Sequence, residues 1–206
     1  YDEWKDDPDM IGDVMRFLDN VLSDFINKAP EQFKDAKYSA ERERSVGLGV
    51  MGFHSFLQKK RIPLESVMAK SWNKKIFKNI HEKVNQASKD LAEERGACPD
   101  AAEYGFKERF SNKTAIAPTA SISIICGGAS PGVEPIAANS YTHKTLSGSF
   151  NVRNRYLEEI LESHGKNDDE TWSTITTNQG SVSHLDFLTD LEKDVFKTAF
   201  ELNQKW

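Results

Sequence analysis

The residues that could do chemistry in this chain are two cysteines, five histidines and one loop of small hydroxyl side chains. Cys98 and Cys126 lie far apart, and neither sits in a Cys-x-x-Cys pair, so the spacing offers no dithiol and no zinc motif. His54, His81, His143, His164 and His184 include no i, i+4 pair and no ligand cluster, so no metal site is expected. Cys98 could be a reactive thiol or a packed small side chain. With no base or cation beside it in sequence, it reads as packed.

The loop is more informative. Thr114 to Pro135 is almost free of charge in a chain whose charged content is 29%. Ala115-Ile116-Ala117 reads as the end of a short buried strand, stopped at Pro118, which has no amide proton for a ladder. Thr119 or Ser121 is placed to cap a short helix through Ile122–Ile125, and Gly127-Gly128 to end it. Hydroxyls next to unpaired helix-start amides could receive an anion. The same pattern also suits an ordinary strand-loop-helix corner. Glu134, the one acid of this stretch, could contact a substrate or pair with a backbone amide.

Several elements must position that loop. Met10–Ile26 is an amphipathic helix, with Ile11, Val14, Met15, Leu18, Val21, Leu22 and Phe25 recurring at helical spacing. Its stripe could face a partner or the core; the core is the ordinary use. Glu31–Arg44 is highly charged and reads as a solvated linker or exposed helix. Gly47-x-Gly49-x-x-Gly52 matches a dinucleotide fingerprint by letters. It lacks the preceding apolar strand, so close packing is the expected use of these glycines. Phe53, Phe56 and Leu57 continue as helix.

A long helix is predicted over 64–95, with Val67, Trp72, Ile76, Ile80, Val84, Ala87 and Leu91 on its apolar face and Gly96 as its stop. Cys98–Asn112 reads as loop or short helices, Val133–Thr142 as extended and Asn151–His164 as helix. Trp172–Thr177 reads as a short helix or extended piece. A last helix from about Asp190 is expected to bury Val195, Phe196, Ala199, Phe200 and Leu202. This alternation of helices with short strands is the α/β style, dominated by helix. The 206 residues are read as a single domain, 1–206, with enough chain for one core.

A formal net charge of −5 argues against a broad nucleic-acid footprint. No apolar run reaches transmembrane length, no membrane association is expected, and two lone thiols point weakly to a reducing, cytoplasmic compartment. The chain begins at Tyr1 and stops at Trp206 inside an amphipathic pattern, so it reads as a fragment of a longer protein.

Pro118-Thr119-Ala120-Ser121-Ile122-Ser123, followed by Gly127, Ser130-Pro131 and Glu134-Pro135, resembles the C-terminal part of ribonucleotide reductase large (catalytic) subunits. Arg44–Gly52, Gly96–Pro99, Ala138–Thr142 and Asn178–Val182 are similar to the same family in the same order. The resemblance implies part of a ten-stranded α/β barrel, its second half-barrel. It implies that Pro118, Thr119, Ala120, Ser121 and Ile122 hold the phosphates of a ribonucleoside diphosphate. The family's radical chemistry uses an Asn-x-Cys-x-Glu loop and a reducing cysteine pair, and the Asn-x-Cys-x-Glu pattern is not in this sequence. The chain is therefore expected to bind substrate, to supply no catalytic residue and to hold no cofactor. The parent enzyme would need a radical generator, a diiron small subunit rather than cobalamin, and a dithiol reductant. Expected partners are the remainder of the large subunit, the small subunit and further copies in a homo-oligomer. A stand-alone phosphate-binding or helical interaction module is the alternative.

Overall fold

The computed structural model describes every residue except Glu3 and Ser147, and Thr145 by its backbone alone. In chain order the elements are α1 (Met10–Lys28), a 3-10 turn (Glu31–Phe33), α2 (Lys34–Glu43), α3 (Phe53–Lys59), α4 (Val67–Arg95), α5 (Pro99–Glu103) and α6 (Ala120–Ile125). Then come β1 (Ser140–Thr145), β2 (Gly148–Arg153), α7 (Arg155–Ser163), α8 (Asp169–Thr177) and α9 (Asp190–Val195). β1 and β2 form an antiparallel hairpin, with Ser140 opposite Arg153 and Thr145 opposite Gly148. Helix dominates, as the run of helical patterns suggests. No helix among the described residues is long and apolar enough to cross a membrane.

The chain divides into two compact units. The first comprises residues 1–49 and 73–117. Its core takes Ile11 and Met15 from α1 and Ile76, Ile80, Val84, Ala87 and Leu91 from α4, all buried. Within each helix these positions are three to four residues apart, so each helix turns one stripe inward. Cys98 and Phe110 are buried in the same unit. Val21 and Phe25 of the α1 stripe stay exposed at 50% and 38%.

α1 also buries a carboxylate. Asp19 is fully buried and meets three guanidinium groups: Arg44 Nε at 2.9 Å, Arg109 Nε at 2.9 Å and Arg95 Nη1 at 2.8 Å. Burial alone would raise the Asp19 pKa. The hydrogen bonds from Arg109, Arg95 and Arg44 outweigh it and hold the carboxyl below its ordinary value. Arg44 is 8% exposed and closes α2 in a left-handed conformation, φ +44°. Of the two readings of the charged run, linker or exposed helix, the helix forms, but Arg44 at its end is buried, because Asp19 supplies the partner that a buried guanidinium needs.

Two of the three fingerprint glycines serve close approach. A Cβ on Gly47 would stand 2.7 Å from the Ala115 Cβ, and one on Gly49 would stand 2.6 Å from the Ala115 carbonyl oxygen. Leu48 pairs with Thr114 in a single parallel bridge. The expected buried strand end at Ala115–Ala117 is not formed: these residues are exposed. The Ala115 amide donates to the Leu48 carbonyl at 3.1 Å, and no strand among the described residues continues the ladder.

The second unit comprises residues 50–72 and 118–206. Its core is Leu157, Ile160 and Leu161 of α7, Trp172 and Ile175 of α8, and Val182, Leu185, Leu188, Val195 and Phe196 of the C-terminal segment. Asn154 caps α7, accepting from the Tyr156 amide at 3.1 Å. That cap corrects the predicted helix start. Residues 151–153 belong to β2, because their backbone pairs with 140–142. Likewise 133–139 is not strand; extended pairing begins at Ser140.

Thr189 and Glu192 form a capping box at α9. α9 ends at Val195 and Phe200 is 84% exposed, against the expectation of a longer inner face. The Glu201 carboxylate accepts from the Thr198 amide at 2.8 Å and from its hydroxyl at 2.9 Å, and this local turn replaces a further helical turn.

Candidate functional site

Pro118 to Pro135 lies wholly in the second unit. α6 starts at Ala120, as the small-residue turn suggests, and it ends where the glycines dictate. Gly127 and Gly128 have φ of +80° and +70°, and the Gly128 amide donates to the Ile124 carbonyl at 3.2 Å.

The cap is made differently from the expectation. Thr119 occupies the N-cap position with φ +51°, and no side chain caps the helix. In this left-handed conformation the Thr119 hydroxyl is turned away from the first turn of α6. It accepts the Gly132 amide at 2.7 Å, joining the loop's start to the turn beyond the helix. The Ser121 side chain is exposed and makes no hydrogen bond to any described residue. The Ser123 hydroxyl, on the inner side of α6, donates to the Ala120 carbonyl at 3.1 Å. The amides of Ala120, Ser121 and Ile122 stand in the first turn and have no intrahelical acceptor. Those three amides and the exposed Ser121 hydroxyl are donors of the loop with no partner among the described residues. Ile122 is 55% exposed and adds an apolar edge.

Behind the loop stands α3. Gly52, at φ +79°, lets the chain turn into this helix, and its amide donates to the Ser130 carbonyl at 2.8 Å. Ser55 and Ser130 bond each other twice through side chain and backbone. His54 is 1% exposed, and its Nδ1 accepts the Ile136 amide at 3.0 Å. Burial pushes the His54 pKa down to about 4, so the ring is neutral and the accepting nitrogen keeps its lone pair. None of these contacts was read from the sequence. The only available signal was the run of polar residues, His54, Ser55 and Gln58, inside a short amphipathic helix.

A cavity of about 680 Å³ lies between α6, the 136–139 segment and the base of the hairpin. Buried Asn139 and half-buried Asn154 form its polar wall: Asn154 donates to Asn139 Oδ1 at 2.8 Å and to Gln58 Oε1 at 3.1 Å. Asn139 donates in turn to the carbonyls of Gly180 at 2.9 Å and Phe196 at 2.7 Å. The Ala138–Thr142 and Asn178–Val182 motifs thus meet through Asn139. Gly180 allows it, since a Cβ there would fall 2.3 Å from the Ala138 Cβ. Glu134 is exposed, and no described residue bonds its carboxylate.

The two cysteines have different surroundings. Cys98 is fully buried, and Cys126, the residue after α6, is exposed.

The chain matches the family model "Ribonucleotide reductase, barrel domain" over residues 2–108 and 97–206. It is 50% identical over 210 residues to a protein of Invertebrate iridescent virus 6 named ribonucleoside-diphosphate reductase large subunit, covering 100% of this chain and 22% of that protein. A vitamin B12-dependent ribonucleoside-diphosphate reductase of Thermoplasma acidophilum is 35% identical over 198 residues, 93% of this chain and 25% of its own length. The solved class Id ribonucleotide reductase alpha subunit of Actinobacillus ureae superposes with a TM-score of 0.86 at 40% identity, over 96% of this chain and 36% of its own. The chain thus spans a minor part of the length of each relative, and its whole extent is matched. Fold, motif order and these likenesses agree: the chain belongs to the ribonucleotide reductase family, as part of the barrel domain of the large subunit.

Proposed function

We propose that this chain contributes the substrate-phosphate loop of a ribonucleoside-diphosphate reductase, which reduces ribonucleotides to deoxyribonucleotides. The observation that carries the reading is 50% identity along the entire chain to a protein bearing that name. In this reading Pro118, Thr119, Ala120, Ser121 and Ile122 form the phosphate site. The Ala120, Ser121 and Ile122 amides and the Ser121 hydroxyl donate to phosphate oxygens. Thr119 shapes the turn, and Pro118 ends the extended segment before it.

The chain supplies no catalytic side chain. Cys98 and Cys126 stand outside the reaction, and the radical-bearing and reducing cysteines belong to the remainder of the large subunit. Residues 1–206 act as one domain of that subunit, much of the second half of its ten-stranded barrel. The partner is a radical-generating small subunit with a diiron centre rather than cobalamin. The name "large subunit" of the viral relative and the higher identity to the class Id alpha subunit than to the B12-dependent relative support this. A dithiol reductant, a homo-oligomeric assembly and a cytoplasmic setting complete the proposal.

Titration of this chain with phosphate and with a ribonucleoside diphosphate, followed by amide NMR, tests it. Shifts concentrated at Ala120–Ile122 are expected. Shifts elsewhere, or none at high phosphate, overturn the assignment of the site.

A further inference from the structure

We propose that Ser55 and Ser130 are positioning residues for the phosphate loop, acting as a two-way hydrogen-bonded clamp. The proposal rests on the reading of Pro118–Ile122 given above, and it assigns a role to two residues that do not touch the ligand.

The geometry is reciprocal. The Ser130 amide donates to Ser55 Oγ at 2.8 Å, and the Ser55 amide donates to Ser130 Oγ at 3.1 Å. The Gly52 amide adds a third bond, to the Ser130 carbonyl at 2.8 Å. Both serines are buried, at 7% and 1% exposure, so neither group has water as an alternative partner. Ser55 is the third residue of α3, and its amide is one of the donors that a helix start leaves without an internal acceptor. Gly52 has no side chain to cap it. Ser130 therefore caps α3 from 75 residues further along the chain.

From Ser130 the hold passes into the loop through its neighbours. The Ala129 amide donates to the Ser123 carbonyl at 3.1 Å, and the Gly132 amide donates to the Thr119 hydroxyl at 2.7 Å. The first contact fixes the inner side of α6 and the second its start. Thr119 sits at φ +51°, a conformation that a β-branched residue keeps only when its surroundings hold it. Fixing residues 129–132 against α3 thus fixes the direction in which the Ala120, Ser121 and Ile122 amides point. Without the clamp, the turn can shift and carry Thr119 with it.

A phosphate that does not react is held alike in the ground and transition states. Loosening its site therefore raises KM and leaves kcat in place. The experiment uses a complete large subunit carrying this chain, assayed for ribonucleoside-diphosphate reduction with its radical-generating partner. Ser55→Ala and Ser130→Ala are each expected to raise KM about tenfold, with kcat within about twofold. Ser55→Thr, which keeps the hydroxyl, should retain the parent KM. Ser121→Asp places a carboxylate at the phosphate and tests the loop itself.

If Ser121→Asp raises KM while both alanine variants keep the parent value, the clamp is refuted and the loop reading stands. Unchanged KM in Ser121→Asp overturns the loop reading and the clamp with it. Alanine variants with lower thermal stability but the parent KM show a purely structural pair and also overturn the proposal. Should Ser130→Ala fail to fold, the comparison of Ser55→Ala with Ser55→Thr decides in the same way.

Discussion

The Thr119 hydroxyl oxygen accepts the Gly132 amide at 2.7 Å, so the first hydroxyl of the loop is tied to the turn beyond the helix. Gly132 is buried, and its amide has no water to turn to. Thr119→Val removes the acceptor at nearly constant shape and should cost about 1–3 kcal/mol. Thr119→Ser keeps the acceptor and should cost well under half of that. Urea denaturation of the two variants beside the parent checks the difference. Equal midpoints for Thr119→Val and the parent would show that the bond contributes nothing net.

Among the described residues, Asp19 is the sole carboxylate that pairs with Arg44 and Arg109, and one of two that pair with Arg95. Asp19→Ala leaves guanidinium groups in the interior without their counter-charge and should destabilise the first unit by about 3–5 kcal/mol. The pH dependence follows from the lowered carboxyl pKa. The unfolded chain binds that proton more readily, so the contribution is complete above the ordinary Asp value and fades as pH falls through the folded one. Acid unfolding of the parent and of Asp19→Asn, followed by circular dichroism, should show this component in the parent alone.

His54 gives a second pH signature of similar direction in a different window. Its folded pKa of about 4 lies below the usual 6.5, because burial disfavours the charged ring. Between those values the unfolded chain takes up the proton and the folded chain does not. The stability is therefore complete above pH 6.5 and is lost progressively as the pH falls toward 4. The whole effect is on the order of 3 kcal/mol. His54→Gln, which can still offer an acceptor to Ile136, should flatten this part of the stability profile. Denaturation midpoints collected between pH 4 and pH 7 would measure it, and an unchanged slope in the variant would assign the slope to other groups.

The thiols should separate cleanly in a labelling experiment. Cys126 is exposed and Cys98 is fully buried. A disulfide reagent should therefore modify one thiol per native chain quickly, and the second only as the chain unfolds. Peptide mapping should locate the fast label at Cys126. Fast modification of Cys98 would contradict the packing around it.

Much of the scaffold was legible in the sequence because its cause is local. α4 shows its inner face through Ile76, Ile80, Val84 and Leu91, and Gly96 marks its end. α6 could be placed between the Thr119 turn and Gly127-Gly128 from conformational preference alone. Reading the glycines near Gly47 as close packing rather than a dinucleotide loop also survives, because no buried strand precedes them and Ala115 fills the space. The strand at Ala115–Ala117 failed for the converse reason. A strand needs neighbours, and apolar letters in a row do not say whether one is present.

Residue order and periodicity determined the helices and their stops, and the loop and glycine motifs carried the resemblance to the family. The tertiary structure alone decided what each polar side chain does. Asp19 lies on an apolar stripe and looks like an interruption until Arg95 and Arg109, 76 and 90 residues away, arrive beside it. Thr119 and Ser121 are equivalent as letters, yet one is tied to Gly132 and the other left free. Ser55 has no visible role until Ser130 closes on it from 75 residues away. Helical periodicity is a property of neighbouring residues, and it is written along the chain. A buried hydrogen bond pairs groups that only the completed packing brings together, so its partner cannot be read from either residue alone.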